Sequence, residues 1–321
     1  MVSEKYEKLR ALLRSYGSCL VAYSGGVDSV FLARVAHDVL GGKALAAIAD
    51  SPSLPRREFQ EALALGEQFH FPVRVVRTRE FENESYLSNP NNRCYFCKHE
   101  LFTELAPLAK AEGFAVIAYG ENASDTGDYR PGAQAAAEFQ VRAPLKEAGL
   151  TKSEIRGLSL QLGLPTADKP QMACLSSRVP YGEAVTPHKL SMIEQAENVL
   201  RDLGFYDVRV RHHELPVPSL KPQVSIPKVV ESNVSGEDAM RDTQSASNLK
   251  PLVTATVVAS LHLARIEVGP SEMRKFLENG ASLKVAEALK RIGYAHVTLD
   301  LQGYRRGSTN EAVGIGAKPG I

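Results

Sequence analysis

Short apolar runs alternate with stretches of helical period through the first 120 or so residues. Cys19-Leu20-Val21-Ala22-Tyr23 is apolar throughout and ends at Ser24-Gly25-Gly26, which predicts a buried strand entering a tight turn. Residues 28–40 carry apolar side chains at 30, 31, 32, 35, 36, 39 and 40, a broad helical face stopped by Gly41-Gly42. Strands are then expected at 44–49, 73–76 and 115–119, and helices at 57–69 and 98–112. Residues 1–14 mix charged and apolar residues on a helical period. Strands separated by helices need crossover connections, so the expected fold class is α/β, a mostly parallel sheet with helices on both faces. Ligands of such sheets collect at the carboxyl ends of the strands.

The second half has a different rhythm. A helix is predicted over 186–203 and ends at Gly204; strands are predicted at 207–212 and 295–301. A further helix is expected over 270–292, with Gly280 as a break near its middle. These elements suggest a smaller α+β carboxyl-terminal domain, giving boundaries at 1–170 and 171–311 with a Gly-rich tail at 312–321. Residues 215–262 break the pattern. They hold prolines at 216, 218, 222, 227 and 251 and a polar stretch from 231 to 248, and read as a flexible insertion.

Bulk properties narrow the class. A chain of 321 residues corresponds to about two domains, with 44% hydrophobic and 23% charged residues as in ordinary globular proteins. Basic and acidic side chains number 38 and 37, a balance that offers no electrostatic groove for nucleic acid and no attraction to an anionic membrane. The start lacks the basic and apolar regions of a signal peptide, and no apolar run reaches the ~18 residues of a membrane span. A cytoplasmic, reducing setting is expected, where four cysteines are poor disulfide candidates.

The loop Ser24-Gly25-Gly26-Val27-Asp28-Ser29 carries the first chemistry. Its glycines let backbone N–H groups turn toward an anion, and the helix that follows adds partial positive charge. Ser24 and Ser29 can donate hydroxyls to phosphate oxygens, and Asp28 can hold Mg2+. The loop lacks the Gly-Lys-Ser/Thr ending of a Walker motif. A plain glycine turn between strand and helix is the alternative. The motif resembles the PP-loop of the ATP-pyrophosphatase superfamily, whose members cleave ATP between its α and β phosphates and place AMP on a substrate oxygen. That resemblance implies that Ser24, Gly25, Gly26, Asp28 and Ser29 bind ATP with Mg2+, and it places adenine near 47–50.

Three further stretches follow in order. Gly120-Glu121-Asn122-Ala123-Ser124-Asp125 leads into Asp128-Tyr129-Arg130-Pro131-Gly132; Cys174-Leu175-Ser176-Ser177-Arg178-Val179-Pro180-Tyr181-Gly182 comes next; Val208-Arg209-Val210-Arg211-His212-His213 is taken up again at Ala264-Arg265-Ile266-Glu267-Val268. With the 24–29 loop ahead of them they resemble the LarE family of pyridinium-dicarboxylate sulfurtransferases over nearly the whole chain. The resemblance implies adenylation of the carboxylates of pyridinium-3,5-biscarboxylate mononucleotide and their conversion to thiocarboxylates, for a nickel-pincer nucleotide cofactor. AMP makes carboxylate oxygen a good leaving group, and a sulfur nucleophile then displaces it. Cys174, Ser177 and Arg178 become catalytic candidates, and Asp128, Arg130, Arg209 and Arg211 substrate-binding candidates. Guanidinium groups suit phosphate or carboxylate, although any one arginine can equally be a surface ion pair. The resemblance also implies that Glu197 and Glu267 match the family's acidic positions for a second metal, the alternative for each being a solvated face. With 215–262 removed, 208–214 would meet 264–268 as the family's hairpin.

The sulfur source turns on cysteines. Cys94-Tyr95-Phe96-Cys97 and Cys174 resemble the three-cysteine type of the family, in which three thiolates hold a [4Fe-4S] cluster and leave one iron able to carry the sulfide to be donated. Arg93 and Lys98 flank the pair and are expected to favour thiolate. Other readings are a sacrificial Cys174, a zinc site of Cys94, Cys97, Cys174 and His99, a redox pair, or simple burial. Cys19, inside the first strand, reads as a small buried hydrophobe. The rival functions are a tRNA-thiolating enzyme, an amide-forming synthetase and an ATP- or metal-sensing protein that does no catalysis. The expected partners are the small pyridinium nucleotide, a sulfur donor and further copies of the chain.

Overall fold

The computed structural model describes residues 2–125, 131–170, 173–216 and 260–305. The elements in chain order are α1 (Val2–Tyr16), β1 (Cys19–Tyr23), α2 (Val27–Leu40), β2 (Ala44–Asp50), α3 (Arg56–Gln68), β3 (Val73–Arg77), α4 (Glu84–Leu87), α5 (Arg93–Glu112) and β4 (Val116–Tyr119). Then come α6 (Pro131–Glu138), α7 (Pro144–Glu147), α8 (Lys152–Gln161), α9 (Pro187–Asp202), β5 (Val208–Pro216), β6 (Ser260–Val268), α10 (Ala281–Ile292) and β7 (Tyr294–Leu299).

The first four strands form one parallel sheet in the order β3-β2-β1-β4. Alternation along each strand sends side chains to opposite faces. Cys19, Val21, Tyr23, Ala44, Ala46 and Ile48 join a core with α1, α2, α3 and α8, whereas Leu20, Leu45 and Ala47 pack with α5 and α6. Helices therefore cover both faces, as the α/β reading requires. Cys19 is wholly buried and burial pushes its thiol up to about 12, so it behaves as a small hydrophobe. Because β2 and β4 flank β1 on opposite sides, the strand order reverses at β1, and the crevice outside its carboxyl end is where a ligand belongs.

The carboxyl-terminal region is a mixed three-stranded sheet in the order β5-β6-β7, with β5 antiparallel and β7 parallel to β6. Val208, Val210, Ala264, Ile266 and Val268 face α9 and α10 through Met192, Ala196, Leu200, Val285 and Leu289. Arg209, Arg211, Arg265 and Glu267 fall on the alternate positions of the same strands.

Four local expectations change. The fifth helix begins at Arg93, so Cys94 and Cys97 lie inside its first turns instead of ahead of it. The 270–292 helix is two elements, a 3-10 stretch Pro270–Leu277 and α10, parted at Gly280, whose φ is 67°. The hairpin runs further than expected: Leu215 pairs with Leu261 and Pro216 with Ser260, so 215–216 and 260–262 are strand, not insertion. The rest of that insertion, 217–259, and the 312–321 tail lie outside the described residues. Helix α8 was unexpected, although its capping box, in which Thr151 and Glu154 satisfy each other's backbone N–H, has a readable sequence signature. Among the described residues no helix is long and apolar enough to cross a membrane.

Candidate active site

The 24–29 loop leaves β1 and turns at once into α2. Gly25 adopts φ 72° and presses on α3, where a Cβ would stand 2.8 Å from the Ala62 Cβ; both facts demand glycine. Ser29 Oγ accepts from the Ser24 amide at 3.2 Å, donates to the Gly26 carbonyl at 3.0 Å and lies 3.1 Å from Ser24 Oγ. This folds the loop over the start of a 14-residue helix, the arrangement that gathers amide donors and dipole at one anion. Asp28 is met by Lys152 Nζ at 2.5 Å and by Asn122 Nδ2 at 3.4 Å. A carboxylate beside a mobile ammonium is a site where Mg2+ and phosphate can replace the ion pair. Across the crevice Gly120 comes so near the start of α2 that a Cβ would sit 3.0 Å from the Ser29 amide nitrogen.

Two cavities open on either side of this loop. One is lined by Ser24, Asp28, Ser29, Lys98, Tyr119 and Glu121. Lys98 Nζ sits 4.4 Å from the Tyr119 ring centre, and Glu121 takes a hydrogen bond from Lys146 Nζ at 2.8 Å and another from Tyr119 Oη. Burial alone would raise the Glu121 carboxyl, but these contacts hold it below its ordinary range. The other cavity joins Ser24 and Gly26 to the end of β2 at Ile48 and Ala49, and then to Glu80, Cys97 and Cys174. Thr78 Oγ1 and Glu80 Oε2, both on this cavity, are buried without a protein partner, as polar atoms awaiting a ligand would be.

Cys94 and Cys97 stand one turn apart on α5, and Cys174 leads into the 3-10 turn Leu175–Arg178. Arg93 ties the two segments: its Nη1 donates to the Ser176 carbonyl at 2.9 Å and to Asn89 Oδ1. Tyr86 adds a second tie, with its hydroxyl 2.6 Å from Ser53 Oγ and 2.7 Å from Ser176 Oγ. Burial pushes the Cys97 thiol up and Cys174 pushes it further; Cys94 is raised too, by packing around its sulfur and by Cys174, although the residue is exposed to solvent, and Arg93 offsets only part of this. The expectation that Arg93 and Lys98 would favour thiolate in the bare protein is therefore corrected. Thiols raised in this way suit a cationic centre that would take the place of their protons.

His99 does not join them. Its ring lies 5.0 Å from Phe139 and 5.7 Å from Tyr95, so the zinc set that included it is overturned. Among the described residues, His212, Glu214 and His262 are the group whose ligand atoms all lie within 4.8 Å of one another; the cysteines stand wider. Arg93 and the first turn of α5 supply positive charge to an anionic group there. Three thiols near enough to act on one another's ionisation are, in donor chemistry, the set that a [4Fe-4S] cluster takes.

The other candidates gather at the second sheet. Arg178 is wholly buried and grips Glu197 bidentately at 2.8 and 3.1 Å. Its Nη1 donates to the carbonyls of Ala173 and Cys174, at 2.5 and 3.0 Å, and to Ser177 Oγ at 3.1 Å. Its fork is thus committed to protein, and it shapes the Cys174 turn. Glu197 also accepts from the Val210 amide at 3.1 Å; burial would raise its carboxyl, but Arg178 holds it below the usual range. Arg211 bonds Glu267 Oε2 at 2.8 and 3.0 Å and the Ser177 carbonyl at 2.9 Å. Arg209 donates to the Val208 carbonyl at 2.7 Å and lies 4.6 Å from the Tyr304 ring centre. Asp128 and Arg130 lie outside the described residues.

Four residues of the site, Lys98 as a loop neighbour, Lys152, Tyr86 and Glu80, are not singled out by the sequence. Lys152 was findable from the capping box that places it first in α8. The other three carry no local signal, because their value lies in what the fold sets opposite them.

No family model matches the chain. Over 313 residues, 98% of this chain and 99% of the relative, it is 38% identical to an uncharacterized protein of Synechocystis sp.. It is 28% identical to the pyridinium-3,5-bisthiocarboxylic acid mononucleotide synthase of Lactiplantibacillus plantarum over 97% of this chain and 96% of that one. A glutamine-hydrolyzing GMP synthase of Crocosphaera subtropica is 26% identical over 63% of this chain and 42% of its own length.

Proposed function

The chain belongs to the LarE-like PP-loop ATP pyrophosphatase family, whose members are ATP-dependent enzymes, and from that premise we propose that it is a sulfurtransferase that adenylates the carboxylates of pyridinium-3,5-biscarboxylate mononucleotide and converts them to thiocarboxylates. The observation that carries this reading is the shared cavity, in which the loop for the ATP phosphates faces Cys97 and Cys174. An adenylate formed beside the loop would meet sulfur without leaving the pocket.

In this reading the substrate carboxylate attacks the α phosphorus, the bond to the β phosphate breaks and pyrophosphate leaves. The amides at the start of α2 and the hydroxyls of Ser24 and Ser29 take up the charge on that leaving group. Asp28 would hold Mg2+, once its Lys152 partner turns to phosphate. Lys98 supports the phosphates from the other wall. Arg209 and Arg211, with Arg130, hold the substrate's own phosphate and carboxylates. Arg178 and Glu197 keep the Cys174 turn in place, and Glu267 orients Arg211. Cys94, Cys97 and Cys174 would hold the [4Fe-4S] cluster, which when bound supplies the sulfide that displaces AMP. Ile48 and Ala49 offer the adenine its apolar wall.

The test uses anaerobically purified protein and the Cys97→Ser variant. Pyrophosphate release should require the pyridinium substrate in both, while thiocarboxylate product and about four irons per chain should appear only in the parent. Release that ignores the pyridinium nucleotide would sink the substrate assignment, and product made by the variant would sink the role of the cysteines.

A further inference from the structure

A second cluster of ligand-type side chains sits outside this site. His212 and Glu214 are two apart on β5, so both leave the same face of the sheet, opposite to the face of Arg209 and Arg211. His262 on β6 is the cross-strand partner of Glu214 and shares that face. His212 Nε2 lies 3.1 Å from His262 Nδ1, and one Glu214 carboxylate oxygen lies within 4.8 Å of both. Two nitrogens bound to one tetrahedral ion at zinc's usual bond length stand about 3.3 Å apart, so the imidazoles already hold that spacing.

The surroundings match as well. His212 is fully buried, and its second nitrogen, Nδ1, lies 3.2 Å from Tyr294 Oη, the outer hydrogen bond that fixes the tautomer of a ligating imidazole. With the Nδ1 proton given to Tyr294, Nε2 presents its lone pair inward. Glu214 is held through Oε2 by Lys189 Nζ at 3.1 Å, which leaves its other oxygen for an ion and steadies the carboxylate. The His188 ring on α9 stands 6.4 Å from that of His262, outside this group of three.

We propose that His212, Glu214 and His262 form a binding site for a divalent transition ion, zinc being the best match to two imidazoles and a carboxylate. The ion occupies the gap now bridged by the His262 Nδ1 proton, and neutral His262 shifts that one proton to Nε2 as Nδ1 turns its lone pair to the ion. It links β5 to β6 at the outer end of their ladder and, through Tyr294, to β7. Its role is structural, and it is separate from the cysteines and from the face that bears Glu267.

The test is a chelator-stripped full chain titrated with Co2+ and Zn2+. Cobalt should produce visible bands of a nitrogen- and oxygen-ligated tetrahedral ion, distinct from the near-ultraviolet charge transfer of thiolates. In a Cys94→Ser/Cys97→Ser/Cys174→Ser background one equivalent of zinc should remain, and a hundredfold excess over its Kd should raise Tm by about 5 °C. His262→Gln or Glu214→Gln in that background should abolish both effects, and Tyr294→Phe should weaken binding about tenfold or more. The proposal is overturned if wild-type protein shows thiolate-type cobalt bands alone, or if His262→Gln and Glu214→Gln bind zinc as tightly as their parent.

Discussion

The phosphate loop and the cysteine turn face one cavity, yet they are built in opposite ways. The loop is six consecutive residues running from the end of β1 into the first turn of α2, held by bonds among Ser24, Gly26 and Ser29 themselves. The cysteine turn has no such self-sufficiency. Cys174 is placed by Arg178 from within its own segment, by Glu197 on α9 behind that arginine, and by Arg93, Ser53 and Tyr86 from the first domain. Damage to the loop should therefore disable chemistry while sparing the fold. Damage to the supports of the turn should cost stability first.

The strongest way to sharpen that contrast is Arg178→Met. It takes from Glu197, 1% exposed, its bidentate partner and leaves only the longer Arg201 contact at 3.6 Å, and denaturant melts should show a loss of about 3–5 kcal/mol. Adding Glu197→Leu should restore much of it, because two buried charges are then removed together. Next comes Asp28→Asn, which should lower substrate-dependent pyrophosphate release by about a hundredfold or more, with the melt little changed. A comparable fall in Tm would break the contrast. Tyr86→Phe removes two buried hydrogen bonds, one to Ser53 and one to Ser176 of the cysteine turn, and should cost about 1–2 kcal/mol, with a lower rate of sulfur transfer but normal pyrophosphate release.

The smallest effect lies away from both regions. Lys5 and the Thr151 cap hold the Glu154 carboxyl down to about 2, and the pair bridges α1 to α8. Because the folded value lies below the ordinary one, this stability is present above about pH 4.5 and fades as pH falls toward 2. The pair is solvent-screened, so Glu154→Gln should change the acid limb of a pH–stability curve by less than about 1 kcal/mol.

Much of this molecule is legible in local pattern. The strand–loop–helix at Cys19 to Leu40, the parallel sheet and the hairpin partner 264–268 follow from apolar runs, glycines and a broken motif. Arg178 and Glu197 were also legible as residues of note, but their purpose was not: sequence suggested a ligand grip and a metal ligand, and the fold joins them as a buried pair behind Cys174. Cys94 and Cys97 were legible as a pair, but the fold shows thiols pushed up instead of thiolates favoured, because burial and mutual repulsion outweigh flanking charge.

Sequence alone determined the elements and the loop that holds an anion, since periodicity, glycine φ freedom and helix ends act over a few residues. Tertiary structure alone decided that Cys97 and Cys174 share a cavity with that loop, that His99 turns away to Phe139, and that His212 meets His262 across two strands. Contacts between residues 40 to 150 positions apart depend on how whole elements pack, and no short stretch of chain encodes them.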